Sequence, residues 1–183
     1  YHLAAQAVVT VSVKDPWFDA DVNVKGTLNV LQAARARPAP VVFASTGGAL
    51  YGDDAPRPTP ETVLPEPLSP YGASKLAGEV YVRTWAASDG IPHAICRLGN
   101  VYGPRQSPHG EAGVVAIFSH KLWSGEPATL YGEGEATRDY VHVGDVAEAL
   151  LRAKGVQGVF NISVGREAPV KEVFELLRAE AGV

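Results

Sequence analysis

A mostly parallel α/β sheet covered by helices is the fold this sequence predicts, and three observations predict it. Helical and strand signals alternate along the whole chain, as βα units do. One run, Val41-Val42-Phe43-Ala44-Ser45-Thr46, is apolar until it stops at small polar residues, as a strand buried on both faces must be. The 183 residues, 46% hydrophobic and 20% charged, suit one ordinary α/β domain. A chain of this size buries about 70% of the surface its unfolded form exposes, so its core needs neither disulfide nor metal.

The opening Tyr1-His2-Leu3-Ala4-Ala5 reads as the end of a buried strand. The chain contains no Met, even at position 1, so a longer parent chain is expected. A long helix is predicted from about Pro16 to Arg37, with Asp15 as its cap, Pro16 at its first position and Pro38 and Pro40 beyond its end. Its apolar residues form two stripes, Val24, Leu28 and Leu31 on one side and Val22, Val30 and Ala33 on another, the pattern of a helix buried twice. After the apolar strand comes a loop from Gly47 to Pro67, rich in Pro, Gly and Asp and long enough to expect a functional role. Ser69-Pro70 opens a second long helix that Asp89-Gly90 closes. A strand near His93 to Leu98 and a loop carrying Asn100 to His109 follow. Beyond Gly110 the pattern predicts a helix over 111–123, extended pieces at 128–131 and 140–143, a helix at 146–154, a strand at 159–163 and a helix from Val170. Part of this section is expected to form a smaller lobe. Ligands of open α/β sheets sit beyond the carboxyl ends of the strands, so Thr46 and the residues after Leu98 are expected to face a common cleft.

Composition excludes several function classes. Twenty acidic against 16 basic residues give a net charge of −4, and without a Lys/Arg cluster neither nucleic acid nor an anionic membrane is the expected partner. The apolar runs are too short to span a bilayer, and nothing reads as a signal peptide, so the expected location is cytoplasmic. The lone Cys96 lies in an alternating strand pattern and is read as a small buried hydrophobe. The five His residues form no metal-like cluster, and no metal is expected. His2 and His142, inside apolar segments, are read as core residues, and His93, His109 and His120 as exposed. Ser69, Ser74 and Ser119 have no positioned His and Asp to activate them, which argues against hydrolase chemistry.

Tyr71 and Lys75 lie one turn apart on one face of the second long helix. A free phenol has a pKa of about 10, and an ammonium nearby favours phenolate, so this pair can supply a base near neutral pH. The spacing is common by chance, and an exposed aromatic beside a solvated Lys is the plain alternative. Arg138 has donors in a planar fork suited to phosphate oxygens, or an ion pair with Asp139 or a nearby Glu. Tyr131 offers a face for stacking on a base, or edge-strand packing.

Context decides among these. The segments Ser69-Pro-Tyr-Gly-Ala-Ser-Lys-Leu-Ala-Gly-Glu79 and Phe43-Ala-Ser-Thr-Gly-Gly-Ala-Leu-Tyr-Gly52 resemble those of the extended short-chain dehydrogenase/reductase family. Within it the NAD-dependent nucleotide-sugar epimerase/dehydratase group is most similar, the UDP-glucose 4-epimerases above all. Tyr1-His-Leu-Ala-Ala-Gln6, Asn23-Val-Lys-Gly-Thr27, Arg97-Leu-Gly-Asn-Val-Tyr-Gly-Pro-Arg105, Gly132-Glu-Gly-Glu-Ala-Thr-Arg-Asp-Tyr-Val-His-Val143 and Phe160-Asn-Ile-Ser-Val-Gly165 extend the match over nearly the whole chain.

The resemblance implies a Rossmann-like doubly wound parallel sheet whose first strands and Gly-rich loop precede this sequence, with a small substrate-binding lobe. Residues 1–110 are then expected to be the C-terminal part of the NAD-binding domain. Residues 111–183 are mainly the lobe, with segments returning to the sheet. The resemblance implies Tyr71 as catalytic base, with Lys75 contacting the nicotinamide ribose and lowering the Tyr71 pKa. Leu3, Ala4, Ala5, Asn23, Ser45 and Leu98 complete the NAD pocket, Asn23 also supporting the fold. Counted back from Tyr51, the family's catalytic hydroxyl falls on Gly47, and Thr46 is the nearest substitute. Asn100 and Arg138 match positions that hold the nucleotide diphosphate, and Thr129 and Tyr131 positions that meet the uracil.

The implied reaction inverts C4 of a UDP-hexose through a 4-keto sugar, with Gly47, Gly48 and Ala49 leaving the sugar room to turn. A dehydratase or decarboxylase of the same family and a non-catalytic NAD(P)-binding regulatory protein are the alternatives. Thr46 followed by Gly47-Gly48 rather than Asp-Glu counts against the dehydratase, and the presence of both Tyr71 and Lys75 against the regulator. A homodimer through the helices near 16–37 and 70–88 is expected.

Overall fold

The computed structural model describes residues 1–109 and 113–182. The predicted boundary at Gly110 and helix start at Glu111 lie outside the described residues. In chain order the elements are α1 (Val9–Lys14), α2 (Pro16–Ala20), a π-helical turn over Asp21–Lys25, α3 (Gly26–Ala36), β1 (Val42–Thr46), α4 (Pro70–Asp89), β2 (Ala94–Leu98), β3 (Asn100–Tyr102), α5 (Val114–Ser124), a 3-10 turn over Tyr131–Gly134, β4 (Thr137–His142), α6 (Val143–Arg152), β5 (Gly158–Ile162), β6 (Glu167–Pro169) and α7 (Val170–Ala181). They fall into two units, the first Tyr1–Leu98 with Ala147–Ile162, the second Gly99–Val146 with the segment from Ser163 on.

In the first unit β1, β2 and β5 form a parallel sheet in that order. Its register puts Thr46 beside Leu98 and Leu98 beside Ile162, so the carboxyl ends of the strands are level. The opening segment runs parallel along the other edge of β1: His2 N–H donates to Val42 O at 2.8 Å and Ala44 N–H to His2 O at 3.1 Å. Leu31, Val41, Phe43, Val82 and Ile95 form the core between this sheet and α3 and α4. Helix α4 starts and stops on its own local signals. The Ser69 side chain accepts from Gly72 N–H, Pro70 occupies the first position, and Gly90 closes the helix in the left-handed region at φ 66°. Two of its glycines bring it close to its neighbours. A Cβ on Gly78 would lie 2.8 Å from the Phe43 ring of β1, and one on Gly72 would lie 2.2 Å from the Ala49 carbonyl oxygen.

The long helix predicted from Pro16 is present, with Asp15 accepting from Phe18 N–H as its cap, but it contains a π turn, and α1 precedes it. Its inward face carries Asp19, Asn23, Thr27 and Leu31, all buried. A run of positions four apart drifts by about 40° per step round a regular α-helix, and a wider turn removes the drift. Periodicity assumed a single helical pitch and so pointed to the apolar stripes, whereas this face is mainly polar.

The second unit holds β3, β4 and β6, with β3 parallel to β4 and β4 antiparallel to β6. α5 and α7 meet through Phe118 and Phe174, edge to face at 5.2 Å. Four expectations are corrected here. Asn100 lies in strand β3 rather than in a loop, and β6 was not foreseen. The extended piece expected at 128–131 forms no paired strand: Leu130 is extended, and Tyr131 opens the 3-10 turn, in which Gly132 and Glu133 take positive φ values. The helix predicted from Val146 begins at Val143, directly after β4.

Two histidines exchange places with their expectations. His93 is buried, its Nδ1 accepting from Val41 N–H at 3.0 Å. Burial lowers its pKa, consistent with a ring nitrogen serving as acceptor. His142, at the end of β4, is exposed. His2 and Cys96 are buried as expected, and burial pushes the thiol pKa up to about 11. Among the described residues no helix is long and apolar enough to cross a membrane, and no group of three or more His, Cys, Asp or Glu could hold a metal.

Candidate active site

The first turn of α4 and the end of β1 bring Tyr71 and Thr46 together. The Thr46 side chain faces the Tyr71 phenol closely enough to draw its pKa down against the effect of burial. Gly47 lies past the strand and donates its N–H to Leu98 O at 2.7 Å. A Cβ there would point at that same carbonyl, 3.2 Å away. Gly47, on which the count back from Tyr51 falls, has no side chain to offer, and it is Thr46, the last residue of β1, that faces Tyr71.

Tyr71 is held from both sides of its backbone. Its N–H donates to Ser12 Oγ at 3.1 Å, Ser12 passes a bond to Val9 O, and the Tyr71 carbonyl accepts from Ser74 Oγ at 3.0 Å. Ser74 Oγ in turn lies 3.0 Å from Asn23 Nδ2. The same nitrogen is within hydrogen-bond distance of Gln6 O and Asp19 Oδ1, while Asn23 Oδ1 accepts from Gln6 N–H. Asn23 thus braces three segments and its side chain is fully engaged within the chain. Ser45 also points inward, donating to Glu79. Leu3, Ala4 and Ala5 are exposed, with Leu3 at 57%, which corrects their reading as buried strand. After His2 the segment leaves the edge of β1, and among the described residues no further strand pairs with it.

Lys75 is buried, its Nζ 4.4 Å from the centre of the Phe43 ring. Burial lowers its pKa to about 8, against the opposing pull of Glu79 and Asp19. The expected lowering of the Tyr71 pKa is not found. Burial raises it, the Thr46 side chain offsets part of the rise and the Asp19 charge adds to it. The physical reason is that the phenol is desolvated while the ammonium rides on Phe43. A ring face accepts no ordinary hydrogen bond, so the buried ammonium retains donors suited to hydroxyl oxygens such as those of a ribose. With the open Leu3–Ala5 surface, this arrangement fits a dinucleotide.

On the second unit, Asn100 lies opposite Tyr140 in the β3–β4 pairing. Arg138, two residues earlier on β4, projects from the same face of that strand as Tyr140. Arg138 and Thr129 are exposed, and Tyr131 is 86% exposed. The Arg138 guanidinium donates to Thr137 O at 2.7 Å, while the Asp139 carboxylate accepts from Val164 N–H and Gly165 N–H. Tyr131 stands on the 3-10 turn, so the edge-strand alternative no longer applies.

Sequence reasoning missed Ser12, Asp19 and the Glu79–Arg97 pair. Glu79 had a legible signal, since it follows Lys75 by one further turn on the same face of α4. Ser12 had none, because its contact is made 59 residues away along the chain.

A family model for NAD-dependent epimerases and dehydratases matches residues 1–163. The UDP-glucose 4-epimerase of Mycolicibacterium smegmatis is 46% identical over 186 aligned positions, covering all of this chain and 59% of that protein. The crystal structure of the Thermotoga maritima UDP-glucose 4-epimerase with UDP-glucose superposes with a TM-score of 0.94 at 45% identity, covering 99% of this chain and 60% of that one. That of the Thermus thermophilus enzyme in complex with NAD gives 0.91 at 48% identity, covering 99% and 61%. The α/β fold with a parallel sheet expected from the sequence is the fold of these structures. The chain spans about three fifths of the length of these relatives.

Proposed function

Since this chain belongs to the NAD-dependent epimerase/dehydratase family, we propose that it carries the catalytic part of a UDP-glucose 4-epimerase, inverting C4 of UDP-galactose and UDP-glucose through a 4-keto sugar. The observation that carries the reading is the Tyr71–Thr46 hydroxyl pair beside a buried Lys75. Tyr71 takes the proton from the C4 hydroxyl and returns it, and Thr46, facing it, shares that proton. Lys75 fixes the ribose of the cofactor, and its charge favours phenolate once a hydroxyl rather than a ring faces it. Bound NAD⁺ supplies the reversible two-electron acceptor. Leu3, Ala4, Ala5 and Leu98 line the dinucleotide, and Asn23 and Ser45 support that side of the pocket from within. Residues 1–110 are read mainly as the C-terminal part of the NAD-binding domain and 111–183 mainly as the substrate lobe, with the segment 147–162 returning to the first unit.

Substrate roles fall to the exposed Arg138, Thr129 and Tyr131 and the half-buried Asn100 of the second unit. Arg138 and Asn100 hold the diphosphate, and Thr129 and Tyr131 meet the uracil. The small side chains after Thr46 leave the hexose free to turn. Cytoplasmic work on a soluble sugar nucleotide suits this chemistry. A homodimer is supported by the exposed Trp17, Phe18, Val80 and Tyr81 on the packed helices α2 and α4. A monomer at micromolar concentration in light scattering would overturn the dimer.

Given UDP-galactose and NAD⁺, the chain is expected to form UDP-glucose with no net reduction of the cofactor, and Tyr71→Phe to remove that turnover. A 4-keto-6-deoxy product would instead identify a dehydratase. Binding of both ligands without any conversion would favour the regulatory alternative.

A further inference from the structure

A buried polar relay beneath the loop of residues 47–69 has no part in the chemistry described so far. Arg97, on β2, and Glu79, on α4, are 2% and 0% exposed, and they pair through two bonds of 2.9 and 2.7 Å. The remaining Arg97 nitrogen, Nη1, donates to the Tyr51 hydroxyl at 2.7 Å, and the guanidinium lies 4.9 Å from the centre of the Tyr51 ring. Tyr51 donates onward to Asn161 Oδ1 at 2.8 Å. Asn161, on β5, returns to the loop twice: Nδ2 donates to Thr59 O at 2.7 Å, and its backbone N–H to Glu61 Oε1 at 2.8 Å.

This loop is the wall against which the catalytic helix begins. Glu66 N–H donates to Leu50 O at 2.9 Å, closing the loop on itself. At the other side, the Ala49 carbonyl and the Pro67 side chain come so close to Gly72 that a Cβ there would meet them at 2.2 and 2.8 Å. Gly72 is the neighbour of Tyr71, and Ala49 is three residues beyond Thr46. Any looseness in the loop is therefore felt at both partners of the hydroxyl pair.

We infer that Tyr51, bridging Arg97 to Asn161, is a positioning residue that clamps the 47–69 loop onto the first turn of α4 and so keeps Thr46 and Tyr71 in register for proton transfer. Its hydroxyl joins the buried ion pair by side-chain hydrogen bonds to Asn161, whose two further bonds hold the outer part of the loop. Only the kinetic consequence rests on the proposed reaction; the clamp itself does not.

The test is Tyr51→Phe in the full chain, followed by hydrogen exchange and by epimerisation kinetics. Amides of the loop, with those of Tyr71 and Gly72, are expected to exchange about tenfold faster while those of β1 and α3 stay unchanged. In the same variant kcat is expected to fall by about 10- to 100-fold with KM nearly constant, because the loss is one of geometry at the reacting atoms. Unchanged loop exchange would overturn the inference. So would acceleration spread evenly over β1, β2 and β5, or a loosened loop with an unchanged kcat. In a chain without turnover, exchange at Tyr71 and Gly72 decides alone, so failure of the clamp and failure of the proposed reaction are separately visible. If Tyr51→Phe does not fold, Glu61→Ala, at the exposed end of the relay, must show the same loop-selective acceleration.

Discussion

Replacing Glu79 by Leu is expected to destabilise the chain by about 3–5 kcal/mol, because it leaves the Arg97 guanidinium charged and buried without its counterion. Both side chains are almost wholly enclosed, at 1% and 0% exposure, so water does not replace the lost partner. The pair itself adds far less than that figure, since removing two charges from water offsets most of their mutual attraction. Glu79→Leu combined with Arg97→Met is therefore expected to recover most of the loss. About 1–2 kcal/mol should persist, because the Ser45 and Tyr51 hydroxyls each lose a bond. Denaturant titration of the two single variants and the double variant measures this. A double variant as unstable as Glu79→Leu would show that the carboxylate acts through shape rather than charge.

Lys75→Met is expected to lower turnover about 100-fold or more while raising the stability of the ligand-free chain by about 1–3 kcal/mol at neutral pH. The sign follows from protonation. Lys75 has its folded pKa lowered by burial from 10.5 to about 8. Between those two values the unfolded chain holds a proton that the folded chain has lost, so wild-type stability rises with pH through this window. Below about pH 8 the folded state bears the full penalty of a buried ammonium, and the Phe43 ring returns only part of it. The advantage of Lys75→Met should shrink steadily as pH is raised toward 10.5. Thermal melts of both proteins across that range are the check, and a gap independent of pH would assign the gain to packing alone. Destabilisation by a buried charged group of this kind is what a site poised to hold a ligand exhibits.

What could be read in advance was local. Ser69-Pro70 and Gly90 mark the ends of α4 through groups that act within one turn, and the apolar run before Thr46 marks β1 by itself. Tyr71 and Lys75 were legible because their spacing coincides with the segments that surround them. Burial of individual polar groups was not, because it is decided between elements distant in the chain. His93 is buried and His142 exposed, although the second stands in the more apolar run. That Thr46 faces Tyr71 depends on where β1 ends, which a count along the chain does not fix. The Lys75 ammonium was read as a partner of the phenol because sequence shows spacing but not the Phe43 ring that receives it.

The inward face of the helix from Pro16 to Ala36 acts as an address. Along it, Asp19, Asn23 and Thr27 demand hydrogen-bonding neighbours, and Leu31 demands the apolar pocket of Phe43, Val82 and Ile95. A slide of one turn in one direction would thrust Thr27 into that pocket, and a slide in the other would set Leu31 against the His2 ring that now bonds Thr27. Every such alternative strands a buried polar atom, at about 1–3 kcal/mol each, so competing alignments of the helix are excluded even where they would bury as much apolar surface. Specificity of alignment, more than added stability, is what a mainly polar seam contributes here, and it is the residue array that braces Tyr71 that supplies it.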